Sequence, residues 1–199
     1  MRVSALIWAG LLAGAAACGG PDARAELPEA GRVVDSILPR EEALRRFREG
    51  LPPAESLGGG AMSRDELVSA FMRALGAADT AAIADLAITR SEFAYLYYPT
   101  ASQGLPPYDL EPGLLWFMLF EQSNQGIGRV LQLYGGTPVP LVDYDCGAGH
   151  RQEGKNVVYG PCVVRWRAKG GDTVSARLFN QIVERDGRFK ILSYGNKLD

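Results

Sequence analysis

The most regular alternation of apolar and polar positions lies near the end of the chain, between residues 156 and 194. Three runs rich in β-branched and aromatic residues, 156–167, 173–184 and 189–194, are separated by the turn sequences KGGD and RDGR. A period of two is typical of strands that bury one face, and Asp-Gly is a strong signal for a tight hairpin turn. The pattern predicts three antiparallel strands in a meander.

Before these strands, apolar residues recur at spacings of three and four, which is the period of a helix. Sequences of the S/T-x-x-E form at residues 63–66 and 89–92 read as capping boxes, and Asp79 is a further N-cap candidate. Residues 38–49 carry a proline and two acids at their start, as helix N-termini often do. We expect three helices from residue 63 to residue 97, and one short helix before them.

The most apolar segment is LLWFMLF at residues 114–120, which follows the favourable helix start Glu111-Pro112. A helix that is apolar all round is a buried one, so we expect this segment to be covered on every side. Apolar residues return at helical spacing up to Tyr134, where two glycines follow. One long kinked helix or two short helices fit this pattern. Residues 139–144 then alternate as a fourth strand, leading to Cys146 and a glycine-rich loop that holds His150.

The first 18 residues have the pattern of an export signal, with Arg2, an apolar run at 3–12 and three alanines before Cys18. This run resembles a bacterial lipoprotein signal, in which Cys18 is acylated after cleavage, although Ala15 stands where that family usually has Leu. The alternative is an ordinary secretory signal with an incidental cysteine. A membrane-spanning helix needs about 20 apolar residues, more than this run provides.

The lipoprotein reading places the protein in the bacterial cell envelope, with the membrane as a partner through the lipid anchor. Gly19 stands where many lipoproteins retained at an inner membrane have Asp, which favours the outer membrane if there are two. The next residues are rich in Ala, Gly, Pro and Glu, as flexible tethers often are. The sequence divides into a signal at 1–18, a tether with one short helix at 19–62 and a folded domain at 63–199.

Helices followed by a run of antiparallel strands indicate an α+β domain. This order resembles the nuclear transport factor two-like superfamily, and also the uncharacterised bacterial lipoproteins that carry such a domain. The resemblance covers about residues 63–198 and rests on the order of elements, without a diagnostic motif and without the early strand pair usual in that fold. It implies N-terminal helices and one long apolar helix packed on a curved antiparallel sheet of about four strands, with a pocket inside. A cystatin-like helix on a sheet is the competing arrangement.

Charge and cysteine content narrow the classes of partner. The 199 residues carry a net charge of −2, with 21 basic and 23 acidic residues spread along the chain, which argues against a nucleic-acid binder. Lipidation of Cys18 would leave Cys146 and Cys162 as a disulfide pair, and the alternative is two buried thiols. We expect no metal or other cofactor, because only His150 could join the two cysteines and structural zinc takes four ligands.

The aromatic residues between 93 and 98 are the strongest candidates for a binding site, since four rings on one short helix cannot all face the core. We expect Tyr95, Tyr98, Trp116 and Arg177 to line one pocket for an apolar ligand with an acidic or carbonyl group, which Arg can bind through its fixed set of donors. No catalytic motif is present, and Glu92 reads first as a capping residue.

These observations favour a lipid-anchored binding module for a small apolar ligand or an envelope protein. The resemblance also implies an alternative, because the superfamily includes isomerases and dehydratases with acid and base groups inside the cone. None of their site residues can be placed in this sequence. A purely structural envelope domain is the third possibility. An enzyme needs an ionisable group in a deep pocket, whereas a protein-binding module needs an exposed apolar patch.

Overall fold

The computed structural model describes residues 38–196 and 198. Helices occupy the first part of this range and antiparallel strands the last, which confirms the α+β class. The helices are α1 Arg40–Phe47, α2 Arg64–Ala77, α3 Thr80–Asp85, α4 Arg90–Glu92 and α5 Pro112–Tyr134. The strands are β1 Leu141–Asp145, β2 His150–Glu153, β3 Asn156–Tyr159, β4 Val163–Arg167, β5 Thr173–Ala176, β6 Gln181–Arg185 and β7 Arg188–Ser193. The predicted signal and the predicted lipidation at Cys18 lie outside the described residues.

The predicted helix starts are confirmed by their hydrogen bonds. The side chains of Ser63, Asp79 and Thr89 accept from the backbone N–H three residues later, at 3.1, 2.9 and 3.2 Å. Short polar side chains satisfy N–H groups that the first turn of a helix leaves without partners, which is why sequence alone locates these starts. After α4, the chain continues as one π-helical segment, Phe93–Tyr97.

The strands form two antiparallel sheets, in the orders β1-β4-β5 and β2-β3-β6-β7. Two of the predicted strands are therefore each split between the sheets, 156–167 into β3 and β4, and 173–184 into β5 and β6. Pro161 at the first break has no N–H to give to a ladder, and a side chain at Gly160 would collide with the backbone oxygen of Asn180. The Cys162 N–H donates to that oxygen at 3.1 Å, which links the two breaks. The long hairpin is thus interrupted at one level on both strands and passes from one sheet to the other.

The segment around His150 differs from the expected glycine-rich loop. His150 begins β2, which pairs with β3 through a tight turn at Gly154. The imidazole is exposed and lies 5.9 Å from the Tyr159 ring, measured between ring centroids. Among the described residues, no group of three or more His, Cys, Asp or Glu side chains could hold a metal ion.

Cys146 and Cys162 form the predicted disulfide, with their Cα atoms 3.9 Å apart. The bond continues the ladder of β1 and β4, because the preceding pair in register is Asp145 with Val163. Both cysteines are buried in the main core. The disulfide therefore ties together the two strands that enclose the β2–β3 hairpin.

Helix α1 packs on the domain instead of standing apart in a tether. Leu44 and Phe47 are buried, and the Phe47 ring meets Phe93 edge-on at 5.7 Å between centroids. Arg40 donates to the carbonyl oxygens of Tyr98 and Pro99 at 3.1 and 2.9 Å. The compact unit accordingly begins at Leu38, before the boundary that the sequence predicts at residue 63.

The prediction of a long apolar helix buried on every side is not supported. Helix α5 is continuous over 23 residues, but it is buried only at Pro112, Leu115, Gly126 and Val130. At Gly126 it approaches the sheet so closely that a Cβ atom would overlap the backbone of Tyr194. The first half leaves apolar side chains 41–59% exposed, namely Leu114, Phe117, Met118 and Phe120. Within the described residues, no helix combines the length and apolar content that crossing a membrane requires.

Candidate functional site

A half-open groove of about 420 Å³ lies between α3, the start of α4, α5 and the end of β7. This volume is within the range of about 300–1,000 Å³ typical of small-molecule sites. Apolar side chains form most of the lining, namely Ile83, Ala84, Ala87, Ile88, Trp116, Leu119, Phe120, Ile127, Leu131 and Leu192.

Backbone pairing holds one wall of the groove against the sheet. The Ile191 N–H donates to the Leu86 oxygen at 2.8 Å, and the Ile88 N–H donates to the Ile191 oxygen at 3.0 Å. These bonds run along β7, so the link between α3 and α4 lies beside that strand. Leu192 and Tyr194, which follow on the same chain, then form the floor between this link and α5.

Tyr194 lines the groove, but its polar groups are already engaged. Its hydroxyl donates to the Ile83 backbone oxygen at 2.7 Å, and its ring stacks on Phe71 with 5.6 Å between centroids. Its N–H donates to the Ser123 Oγ at 3.1 Å. Burial raises the pKa of the Tyr194 hydroxyl far above its usual value, so this group keeps its proton. Tyr194 joins α3 and α5 to the sheet.

The remaining polar lining suits binding better than proton transfer. Arg90 is the single cation among the described lining residues, and it is exposed with its guanidinium 4.6 Å from the Phe47 ring centroid. Thr80, Thr89 and Asn124 add neutral groups. No carboxylate or imidazole belongs to the described lining. The groove can therefore take an apolar body, with a polar end beside Arg90.

The predicted site residues do not converge. Trp116 alone lines the groove, half-buried between Phe93 and Phe120 with centroid distances of 5.2 and 5.9 Å. Tyr98 is buried elsewhere, and its hydroxyl donates to the Leu110 oxygen at 2.9 Å. The expectation of one pocket shared by Tyr95, Tyr98, Trp116 and Arg177 is wrong.

Two local features explain this separation. Tyr95 faces α1, where the Arg48 guanidinium lies 4.5 Å from its ring centroid, because α1 covers the π-helical segment. Arg177 follows the end of β5 at the strand break, and it lines a separate polar cleft with Arg129. The alternation of apolar and polar residues predicts neither the docking of α1 nor the break between β5 and β6. The groove is lined instead by a helical stripe of Leu119, Ile127 and Leu131. The sequence predicts only that this stripe faces the core.

Glu92 is a capping residue, as the sequence indicates, and its carboxylate does more than cap. It accepts from the N–H groups of Thr89 and Gly58 at 2.7 and 2.6 Å. Lys190 donates to both of its oxygens, at 3.0 and 3.2 Å. Both side chains are buried, so the pair joins α4, the loop between α1 and α2, and β7 without offering a free group to a ligand.

A second buried carboxylate, Glu153, lies under the π-helical segment. Its Oε1 accepts from the Ser102 N–H at 3.1 Å and the Arg151 Nε at 2.6 Å, whereas its buried Oε2 has no partner among the described residues. Burial acts to raise the pKa of Glu153, but the hydrogen bonds from Ser102 and Arg151 hold it below its usual value. Burial and the charge of Glu153 raise the pKa of Tyr97.

Comparison of the chain with protein-family models, with curated proteins and with solved structures finds no match.

Proposed function

We propose that this chain is a binding module whose groove holds a small apolar molecule with one acidic or carbonyl end. The observation that carries this proposal is the groove itself, about 420 Å³ with a mainly apolar lining and Arg90 as the cation among its described lining residues. Each methylene group buried from water contributes about 0.8 kcal/mol, so an apolar chain of about eight carbons contributes about 6 of the roughly 8 kcal/mol that correspond to micromolar affinity.

The absence of a carboxylate or imidazole from the described lining counts against the enzyme alternative. General acid and base catalysis at neutral pH needs such a group within hydrogen-bond reach of the ligand. Tyr194 does not replace it, because its hydroxyl already donates to Ile83 and its pKa is raised.

The cellular setting of the module is also a proposal. We infer that Cys18 carries a lipid and tethers the compact unit to an envelope membrane, with the outer membrane favoured where there are two. The sequence before Cys18 supports this inference, since it ends an apolar run with small residues. We also propose a nuclear transport factor two-like cone, supported by the packing of α5 on a bent antiparallel sheet. In such a cone the groove lies between the long helix and the sheet.

A titration with a medium-chain fatty acid and with the alcohol of the same chain length tests the proposal. Trp116 lines the groove, whereas Trp166 is buried in the core outside it, so the ligand-dependent change in tryptophan fluorescence reports occupancy. We expect saturable quenching by both compounds, with tighter binding of the acid. Arg90→Gln should remove the preference for the acid, whereas Arg188→Gln, at an exposed position outside the groove, should retain it. A failure of both compounds to bind would contradict the proposal.

A further inference from the structure

Helix α5 borders a second concave site that differs from the groove in chemistry. Gln122, Gln125 and Arg129 of α5 face the end of the chain after β7, which supplies Asn196, and the strand break, which supplies Arg177. The cleft between them measures about 240 Å³. Gly126 and Val130, which are buried against the sheet, separate these α5 positions from those that line the groove.

Arg177 lines this cleft and also has an unsatisfied hydrogen-bond donor. Its side chain is half-buried, and its Nε is fully buried without a partner among the described residues. It forms no salt bridge with a described carboxylate. A buried donor of a charged group without a partner costs more than a neutral one, and native proteins rarely leave it so. An anion beside this half-buried guanidinium would offset part of that cost by pairing with its charge.

Arg129 is the second cation of the cleft, and its position is fixed. Its Nε and Nη2 donate to the Asn196 Oδ1 at 3.2 and 3.1 Å, while the Asn196 Nδ2 donates to the Gly126 oxygen at 2.6 Å. This chain of bonds orients the amide, and the amide in turn holds the guanidinium. Arg129 also forms no salt bridge with a described carboxylate, and its remaining N–H groups are free for another acceptor.

The other side chains of the described lining are neutral. Gln122, Gln125 and Asn180 can donate through their amides, and no acidic residue of the described chain lines the cleft. Two guanidiniums with surrounding amides, and without a carboxylate to neutralise them, form a favourable environment for an oxyanion. The volume lies below the range of about 300–1,000 Å³ of drug-sized sites, which favours a small anion.

We propose that this cleft is a binding site for a small oxyanion, a carboxylate or a phosphate, held between Arg177 and Arg129. The anion accepts from the terminal N–H groups of Arg177 and from N–H groups of Arg129. The site is separate from the groove, so it does not depend on the binding function proposed there.

Thermal melting of the full chain with inorganic phosphate or succinate tests this inference, with sodium chloride at matched ionic strength as the reference. An anion that binds the folded state raises the melting temperature as its concentration rises. We expect such a rise with phosphate, with succinate or with both, and the stronger response identifies the source of the oxyanion. Isothermal titration calorimetry should give a stoichiometry of one.

Arg177→Gln should weaken the binding of the better anion about tenfold or more, the scale of one lost charge-assisted hydrogen bond. Arg129→Gln, on an exposed part of α5, provides a second test if the first variant does not fold. Arg188→Gln is the matched control, because it removes the same charge at an exposed position outside the cleft. A response no larger than that of chloride, or equal losses of affinity in the cleft variants and the control, would overturn the proposal.

Discussion

Glu92 and Lys190 form an ion pair in the interior, with the Lys190 Nζ 3.0 Å from the Glu92 Oε2 and both side chains at most 5% exposed. The pair connects α4, whose start belongs to one wall of the groove, with β7, whose end supplies the floor. Every polar contact of the carboxylate is made by the protein. Its role is therefore to hold the wall of the groove in place.

Removing one member of this pair leaves an unpaired charge in the interior. We expect Lys190→Met to lower the free energy of unfolding by about 3–5 kcal/mol, the range found when buried pairs are broken. Arg165→Met provides the control, since Arg165 pairs with Asp143 at the surface and half of its side chain is exposed. The control should cost at most about 1 kcal/mol. Urea denaturation measures both, and equal small losses would contradict the structural role of Lys190.

The disulfide should stabilise the fold through the loop that it closes. Cys146 and Cys162 are separated by 16 positions, and a loop of that length corresponds to about 3 kcal/mol in the chain-entropy model. We expect the double change to Ser to reduce the free energy of unfolding by this amount. Peptide mapping without reduction should find the two cysteines linked. Free thiols at both positions would show the structure to be wrong at this point.

Glu153 should make stability depend on pH in the acid range. Its pKa is lowered in the folded chain, so its contribution is complete above the unfolded value of about 4.3 and disappears as pH falls through the folded value. We expect Glu153→Gln to reduce the loss of stability between about pH 5 and pH 3. Glu55→Gln, at an exposed position, is the control and should leave the profile unchanged. Identical pH profiles for the wild type and Glu153→Gln would contradict this assignment.

The predicted lipid anchor can be tested separately from the groove. We expect Cys18→Ser to move the protein from the detergent phase to the aqueous phase in a partitioning experiment, because a serine cannot receive the thioether-linked lipid. The melting temperature of the compact unit should not change. Recovery of the Ser variant in the membrane fraction would show that the anchor is not at Cys18.

Local chemistry explains which parts of the fold were predictable. The caps at Ser63, Asp79 and Thr89 depend on hydrogen bonds three residues away, and the disulfide follows from the cysteine count. The alternation of apolar and polar residues does not predict the split of the long strands, because it continues across the break. The signal for the split is the Gly160-Pro161 pair.

The site was less predictable than the fold, since it depends on contacts between distant segments. Of the four predicted residues Trp116 lines the groove, whereas Tyr95 contacts Arg48 at the end of α1 and Tyr98 bonds to the loop before α5. The sequence predicts that the apolar face of α5 is buried, whereas the structure exposes it. Composition does not reveal how much of a helix the sheet covers. Only the packed structure shows which apolar and aromatic side chains line the groove and which lie in the core.

The most direct test of the proposed groove is the dissociation constant of a medium-chain fatty acid for Leu119→Asp and Met118→Asp. Leu119 lines the groove, whereas its neighbour Met118 is 41% exposed and lies outside the lining. A carboxylate in the groove is unfavourable beside the apolar chain of the ligand and repels its acid group. Leu119→Asp should therefore weaken binding at least about tenfold, or 1.4 kcal/mol. Met118→Asp should bind like the wild type. If the two variants bind equally well, with both folded by circular dichroism, the ligand does not occupy this groove.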